Sequence, residues 1–388
     1  MKFGAIPLSL YLHLPWCLKK CPYCDFNSHS VGAEPPRRRY VDALRRDLAA
    51  LGPLAGGREL VSVFLGGGTP SLFAPEEIAA IVDAVHAGFE LAADVEITLE
   101  ANPGALERGR LEDYRGAGIN RLSIGAQSFD AALLAALGRL HGPDEITASV
   151  EEARRAGFDN LNLDVMYALP GQDVAMALAD LQAAAGLGPE HISWYHLTLE
   201  PNTVFHARPP AGLPDEDTAA AIQDAGEAGL TRLGYTRYEV SAWSRTPAHQ
   251  SRHNLNYWTF GDYLAAGAGA HGKLTRADGV GRYARAAHPE AYMQAMERGD
   301  VAVELDPVTA DDLCFEYMLN ALRLPGGVRL ADFRARTGLD SGRVVPVLER
   351  LAARRLLRRE EADVYRPSAA GWARLNDLIA EFLPGDAG

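Results

Sequence analysis

Three of the four cysteines, Cys17, Cys21 and Cys24, fall within eight residues, and Cys314 stands alone far away. A disulfide framework spreads its pairs along a chain, so three thiols in one arc point to metal binding in a reducing compartment. The arc lies in Tyr11-Leu-His-Leu-Pro-Trp-Cys17-Leu-Lys-Lys-Cys21-Pro-Tyr-Cys24-Asp-Phe, which begins as a strand and turns into a loop at Pro15. Three thiolates on a short loop can each hold one corner of a cubane iron–sulfur cluster. Such clusters ordinarily take four cysteines, so one iron is left open to another ligand. Structural zinc is the alternative, with His13 or His29 as the fourth ligand. Farther on, Leu65-Gly66-Gly67-Gly68-Thr69-Pro70-Ser71 forms a glycine turn, which admits a ligand close to the backbone or simply turns tightly. Arg252-His253-Asn254-Leu-Asn-Tyr257-Trp258 gathers an imidazole, an amide and two large aromatics. A loop hydrogen bond and a core aromatic pair explain those residues without a ligand. Cys314, in the helical stretch Asp-Asp-Leu-Cys-Phe-Glu-Tyr-Met, reads as a small buried hydrophobe.

These groups need elements to place them. Six apolar, β-branched or aromatic runs recur in the first half: Ser9–Leu14, Leu60–Leu65, Val95–Glu100, Arg121–Gly125, Asn160–Met166 and His191–Leu197. Helical-period segments lie between them, including Tyr40–Leu51, Pro75–Phe89 and Asp144–Ala156. Pro75 followed by Glu76 and Glu77, and Asp144 followed by Glu145, read as helix starts, with acids near the positive end of the helix dipole. Strand–helix alternation implies parallel strands with right-handed crossovers. The alternation fits a partial (β/α)6 barrel, and an open doubly wound sheet nearly as well. Both bind ligands at the carboxyl ends of the strands. After about residue 200 the spacing changes: Leu199–Asp217 reads as a long loop, Glu216–Leu233 as a helix and Thr236–Val240 as a strand. From about residue 300 the chain is helical and Arg-rich. Val344–Leu357 is amphipathic, and Leu357–Ala370 suggests a small β-wing, so the end of the chain resembles a winged-helix unit, read as a packing or docking module. The expected domains are 1–235, a connecting region 236–299 that holds the histidine motif, and 300–388.

Composition narrows the function classes. Of 388 residues, 47% are hydrophobic and 23% charged, with a net charge of -13, so the chain is a globular protein and not a disordered one. The acidic balance argues against nucleic acid as a partner. No apolar run reaches membrane-spanning length, and the N-terminus lacks a signal-peptide cleavage pattern. The expected location is the cytoplasm, with contact at the inner face of a membrane left open.

Cys-x3-Cys-x2-Cys after a first strand, with Tyr23 before the last cysteine, resembles the signature of the radical S-adenosylmethionine (SAM) superfamily. That resemblance implies a [4Fe-4S] cluster on Cys17, Cys21 and Cys24. Its open iron would chelate SAM, and one electron would cleave the sulfonium to a 5′-deoxyadenosyl radical. It also implies the partial barrel and SAM contacts from Tyr11, Tyr23, Gly67, Gly68 and Thr69. Four more matches follow the coproporphyrinogen-oxidase-like branch: Glu100 in Thr-Leu-Glu-Ala-Asn-Pro, Gln127 in Ser-Ile-Gly-Ala-Gln-Ser-Phe, Arg139 in the following helix, and Asp164 in Asn-Leu-Asp-Val-Met-Tyr-Ala-Leu-Pro-Gly. By the resemblance they grip the ribose, adenine or carboxylate of SAM.

Within that branch two features divide enzyme from chaperone. Oxygen-independent coproporphyrinogen oxidases carry a further cysteine two residues after the third, where this chain has Phe26. They also share a longer N-terminal arm, where sixteen residues precede Cys17 here. His-Asn-x-x-Tyr-Trp, together with the opening Pro-Trp-Cys-…-Cys-Pro-Tyr-Cys-Asp-Phe-Asn-Ser-His, resembles the HemW-type heme chaperones. The resemblance implies heme as a ligand, with His253, Asn254, Tyr257 and Trp258 as candidate heme contacts. An imidazole can be an axial ligand and the aromatics can stack on a porphyrin. His271 in Gly-Ala-Gly-Ala-His-Gly is a second candidate. It also implies heme-accepting respiratory enzymes, an electron donor for the cluster, and a homodimer as one oligomeric state. The rival functions are a SAM-dependent coproporphyrinogen III oxidase, another radical-SAM tetrapyrrole enzyme, and a zinc-stabilised barrel.

Overall fold

The computed structural model describes residues 5–30, 34–105 and 110–384. The first half alternates as expected. In chain order it runs β1 (Leu8–Leu14), α1 (Arg37–Leu51), β2 (Leu60–Gly67), α2 (Pro75–Gly88), β3 (Leu91–Ala101), α3 (Leu111–Gly116), β4 (Arg121–Gln127), α4 (Ala131–Ala136), α5 (Pro143–Arg155), β5 (Leu161–Tyr167), α6 (Val174–Gly186) and β6 (His191–His196). These six strands are parallel and lie side by side in sequence order. The fold is α/β, a partial barrel of six strand–helix units.

The strand sequences explain both faces. Leu8, Leu10, Leu12 and Leu14 of β1 are fully buried, as are Leu65, Leu99, Leu122, Ile124, Leu161, Leu163 and Ile192 on the strands that follow. Alternate positions carry polar groups: Ser9, Tyr11 and His13, then Ser62, Glu96, Glu100, Ser123, Asn162, Asp164 and His191. A period of two sorts these sets onto opposite faces. The apolar face packs under the helices in one core with Leu44, Leu48, Ile78 and Leu181. The polar face lines the interior, where each buried polar group needs a partner. Ser9 and Ser62 satisfy each other at 2.7 Å.

The helix starts are built as their residues suggest. The Glu77 carboxylate accepts from the Ala74 N–H at 2.8 Å. Glu145 does the same for the Gly142 N–H one residue ahead of Pro143.

The segment 236–299, expected as a connection, extends the barrel sheet. After α7 (Glu216–Arg232), Thr236–Arg237 and Ala242–Ser244 add antiparallel beyond β6. The histidine motif forms α8 (Arg252–Trp258), and β7 (Asp262–Ala266) then runs parallel to β1 on its free side. Next come β8 (His271–Arg276), β9 (Gly279–Ala284) and α9 (Pro289–Arg298). Among the described residues the sheet holds twelve strands, with β1 inside it and not at an edge. The expected loop at Leu199–Asp217 includes a helical turn, Val204–Ala207.

The end of the chain forms α10 (Ala310–Ala321), α11 (Leu330–Thr337), α12 (Val345–Ala353) and a hairpin of β10 (Leu357–Glu361) and β11 (Val364–Pro367). Helices followed by a wing are the expected winged-helix-like arrangement. Its separate core holds Met318, Phe333, Leu348 and Leu351, and Cys314 is buried in it. No helix among the described residues is long and apolar enough to cross a membrane.

Candidate functional site

The exit of β1 delivers the cysteines. Past Leu14 the chain crosses the end of β2, where the Gly68 N–H donates to Leu14 O at 2.8 Å and the Thr69 N–H to Trp16 O at 2.8 Å. This crossing is why the turn is glycine. A Cβ on Gly68 would stand 2.6 Å from Trp16 O, and one on Gly67 would stand 2.5 Å from the His13 ring. Gly67 also sits at φ 116°, a conformation that glycine tolerates and L side chains resist.

The loop's far end is tied down as well. Asn27 donates from Nδ2 to Ala268 O at 3.0 Å and to Ala287 O at 2.7 Å, which fixes it to the β7–β8 turn and to the β9–α9 connection. Tyr40 OH donates to His13 O at 2.7 Å and accepts from the Ala268 N–H at 2.8 Å. Pro22 O accepts from the Phe205 N–H at 3.0 Å, so the helical turn after β6 braces the loop's middle.

Cys17, Cys21 and Cys24 face a cavity of about 320 Å3 at the carboxyl ends of the strands. Tyr23, Gly67, Gly68, Thr69, Glu100, Gln127, Arg139 and Asp164 line the same cavity. Tyr11 does not. Its hydroxyl is 2.9 Å from His13 Nδ1, and its ring stacks over Phe64. The lining also includes residues that sequence reasoning did not single out, notably Asn102 and Tyr195. Both follow from the rule that ligands sit at strand carboxyl ends: Asn102 follows β3, and Tyr195 is next to last in β6.

The cavity wall is preorganised. Asn102 donates to Thr69 Oγ1 at 3.0 Å and accepts from Arg139. Arg139 lies in the α4–α5 connection and not in a helix as expected, because Gly138 turns left-handed at the end of α4; it also donates to Gly125 O at 2.8 Å and reaches Cys21 Sγ at 3.6 Å. Gly125 permits this convergence, because a Cβ there would lie 2.9 Å from Gln127 Nε2 and 3.0 Å from Asn102 Oδ1. Gln127 ends β4 beyond a bulge, at φ 68°, and accepts from Tyr195 OH at 2.7 Å. A non-glycine residue in the left-handed region stores strain, and here it aims the amide into the cavity.

Burial governs the charges. It raises the Glu100 pKa to about 8, with nearby Asp164 adding to the rise and the Gly67 N–H opposing it. The Gly67 N–H to Glu100 Oε2 distance is 3.1 Å. Burial also raises Asp164 against hydrogen bonds from Asn162, Ser193 and Ser123, and it raises the Cys17 thiol against the Thr69 hydroxyl. The ligand-free cavity therefore holds Glu100 protonated at neutral pH.

The donor set fits a cluster with SAM. Three thiols border the cavity, while carboxyl, amide and guanidinium groups stand along the rest of its wall. The zinc alternative lacks its fourth ligand. His13 Nδ1 is engaged by Tyr11 and Nε2 lies 2.9 Å from Asn27 O, while His29 Nε2 lies 3.2 Å from Asn27 Oδ1. Among the described residues no three His, Cys, Asp or Glu side chains converge on one ion position. A cubane, by contrast, meets each thiolate at a separate iron.

The histidine motif is not part of this cavity. Helix α8 packs on β1, β2 and β7 on one side and on α10 on the other. His253 is 8% exposed. It stacks on Phe64 with ring centroids 4.3 Å apart and meets Tyr257 edge-on at 4.7 Å. Burial pushes its pKa down to about 3, and Nδ1 has no partner. Asn254 lies beside the buried Glu239. Tyr257 packs on Tyr263, and Arg323 covers Trp258. His271 is exposed at the start of β8.

A hydrogen-bonded chain joins the motif to the cavity. Asn162 Nδ2 donates to Asp164 Oδ1 at 2.8 Å, and Asn162 Oδ1 lies 2.6 Å from His191 Nδ1. His191 Nε2 lies 2.8 Å from Tyr238 OH, which accepts from the Ser251 N–H at 3.1 Å. Ser251 caps α8, accepting from the Asn254 N–H at 3.3 Å. The partners assign the tautomer: His191 carries its proton on Nδ1 and accepts from Tyr238 at Nε2. Burial holds it neutral.

Comparisons with known proteins identify the family. Residues 11–184 match the radical SAM superfamily, and residues 308–373 match the HemN C-terminal domain. A protein named heme chaperone HemW from Escherichia coli (strain K12) is 46% identical over 97% of this chain and 98% of its own length. One of the same name from Bacillus subtilis (strain 168) is 32% identical over 97% and 99%. The solved structure of coproporphyrinogen III oxidase (HemN) from Escherichia coli superposes with a TM-score of 0.81, covering 98% of this chain and 91% of that one at 24% identity. At that identity the likeness concerns the fold.

Proposed function

The chain belongs to the radical SAM superfamily and, within it, to the family of heme chaperones named HemW; from that premise we propose that it binds heme and passes it to heme-accepting respiratory proteins. The observation that carries this reading is the cavity, which joins Cys17, Cys21 and Cys24 to the expected SAM contacts other than Tyr11, while Phe26 stands where the oxidase pattern has its further cysteine. Those thiols would hold a [4Fe-4S] cluster, with SAM against the same wall.

When bound, such a cluster supplies an iron free of cysteine, a chelation point for SAM, and a reducing electron. The chain's own residues do the rest. Arg139 offers its guanidinium to a carboxylate in a site where burial strengthens charge-assisted hydrogen bonds. Glu100 and Asp164 would hold hydroxyls of SAM, Glu100 as donor while protonated and Asp164 as an acceptor fixed by Asn162 and Ser123. Gln127, held by Tyr195, would offer its amide to SAM. Tyr23 packs against Phe205, with ring centroids 6.3 Å apart, and stands beside Cys21.

His253, Asn254, Tyr257 and Trp258 remain the candidate heme contacts of the motif. In this arrangement they seat α8, so ligation by His253 requires α8 to leave Phe64. An electron donor for the cluster, an acceptor at the inner face of a membrane, a cytoplasmic location and a homodimer complete the proposal. The coproporphyrinogen oxidase alternative is not favoured.

The test is direct. Protein carrying its cluster is titrated with heme and followed by the Soret band. It is then mixed with membranes holding a heme-free respiratory enzyme, whose activity is assayed. Heme binding followed by recovered activity is expected. Absence of any saturable heme binding overturns the proposal.

A further inference from the structure

Among the described residues five large apolar side chains are strongly exposed: Leu18, Phe26, Leu140, Val204 and Leu383. Scattered exposed hydrophobics need no explanation, but contiguous ones mark binding surfaces. These are not scattered. Leu18 at 60%, Phe26 at 58% and Leu140 at 66% exposure all line the one cavity that holds the three thiols. Leu18 and Phe26 come from the cysteine loop, and Leu140 from the α4–α5 connection beside Arg139. Val204 stands on the helical turn whose next residue, Phe205, donates its N–H to Pro22 O. Four of the five therefore gather around the cysteine loop.

The rim also carries two lysines from the cysteine loop, with Glu145 elsewhere in the lining. Lys19 lines the cavity, and its ammonium lies 3.9 Å from a Cβ built on Gly138, beside Leu140. Lys20 follows it and donates from Nζ to Phe26 O at 2.9 Å and Ser28 O at 3.3 Å, which fixes the Phe26 backbone at the rim. The molecule as a whole carries a net charge of -13.

We infer that heme docks across the mouth of this cavity, with its macrocycle between Phe26 and Leu18 on one side and Leu140 on the other, and a propionate on Lys19. This rests on the heme-chaperone reading and says where heme sits. The occupant follows from shape and charge. Apolar groups facing one opening from two chain segments suit a flat apolar ligand, a phenyl ring offers a stacking face, and an ammonium at the edge suits a carboxylate. Such docking needs no movement of α8, unlike ligation by the buried His253. It also places heme directly over the cluster and SAM, so that the two sites share one entrance.

The test is heme titration of the cluster-loaded protein, comparing wild type with Phe26→Asp, Leu140→Asp, Lys19→Glu and Lys19→Arg. All three positions are exposed, so the fold is retained, and unchanged far-ultraviolet circular dichroism and cluster absorbance verify this in each variant. The aspartate variants are expected to weaken heme binding about tenfold or more, since each forfeits burial of a large apolar side chain and sets a like charge near a propionate. Lys19→Glu is expected to weaken it, and Lys19→Arg to leave it near wild type. Wild-type affinity in both aspartate variants overturns this docking surface while the chaperone reading stands. No heme binding by wild type overturns the reading itself. A Leu140→Trp variant gives a separate readout, because heme at the rim must quench the added indole emission; an unquenched increment also overturns the placement.

Discussion

Replacing Glu100 with glutamine should stabilise the ligand-free fold while weakening its hold on SAM. Burial beside Asp164 raises the Glu100 pKa from 4.5 to about 8. An acid whose folded pKa is raised costs nothing when both states are protonated. The cost appears as pH rises past the unfolded value of 4.5 and levels off above the folded value near 8. That shift corresponds to a penalty of about 1 kcal/mol at pH 5 and about 3 kcal/mol at pH 7. Both figures are ceilings, since the carboxyl borders the cavity and water there screens it. Glu100→Gln keeps an acceptor for the Gly67 N–H and removes the titration. Its advantage over wild type should therefore grow by about 2 kcal/mol between pH 5 and pH 7. Urea unfolding of metal-free protein at several pH values, followed by tryptophan fluorescence, measures this directly. In the cluster-loaded protein the same substitution should weaken SAM binding by less than about tenfold, because glutamine keeps a donor and an acceptor but cannot release a proton to become a charged acceptor. A stability difference that stays constant from pH 5 to pH 8 would refute the claim that burial and Asp164 set the protonation of Glu100.

Cys21→Ser should lose the cluster's iron, sulfide and visible absorbance while keeping native circular dichroism, because the loop adds little to the barrel core; a normal cluster in this variant removes the thiol assignment. Gly67→Ala places a Cβ 2.5 Å from the His13 ring at φ 116° and should destabilise by about 2 kcal/mol or more with loss of cluster occupancy, read by iron content and thermal melting. Tyr238→Phe leaves His191 Nε2 and the Ser251 N–H unpartnered and should cost about 1–3 kcal/mol, with faster amide exchange in α8; unchanged exchange there denies that the chain from Asp164 holds α8.

Much of the fold could be read from residue patterns, because the strands of the first half carry strong apolar signals and their helices carry starts such as Pro75-Glu-Glu. The polar alternation inside those same strands, Leu-Ser-Leu-Tyr-Leu-His-Leu in β1, also announces a lined interior. β7 was harder to see. Asp-Tyr-Leu-Ala-Ala is short and small, and only its pairing with β1 makes it a strand. The segment 236–299 therefore reads as a connection in the sequence. At the site, thiols, glycines and carboxylates are legible because spacing places them at strand ends. Orientation is not legible in the same way. His253 has the right chemistry for a metal ligand, yet its helix turns it onto Phe64, and Tyr11 turns toward His13. Both rings also stack on Phe64, which is far from either in sequence. Asn102 and Tyr195 escaped notice because an asparagine after a strand and a tyrosine within one are common as plain structural residues.

Anaerobic incubation of the cluster-loaded protein with coproporphyrinogen III, SAM and a strong reductant, with products separated by chromatography and heme binding measured on the same sample, tests heme handling against oxidase chemistry most directly. A heme chaperone should bind heme and form no protoporphyrinogen IX. Protoporphyrinogen IX accumulating over many turnovers would contradict it.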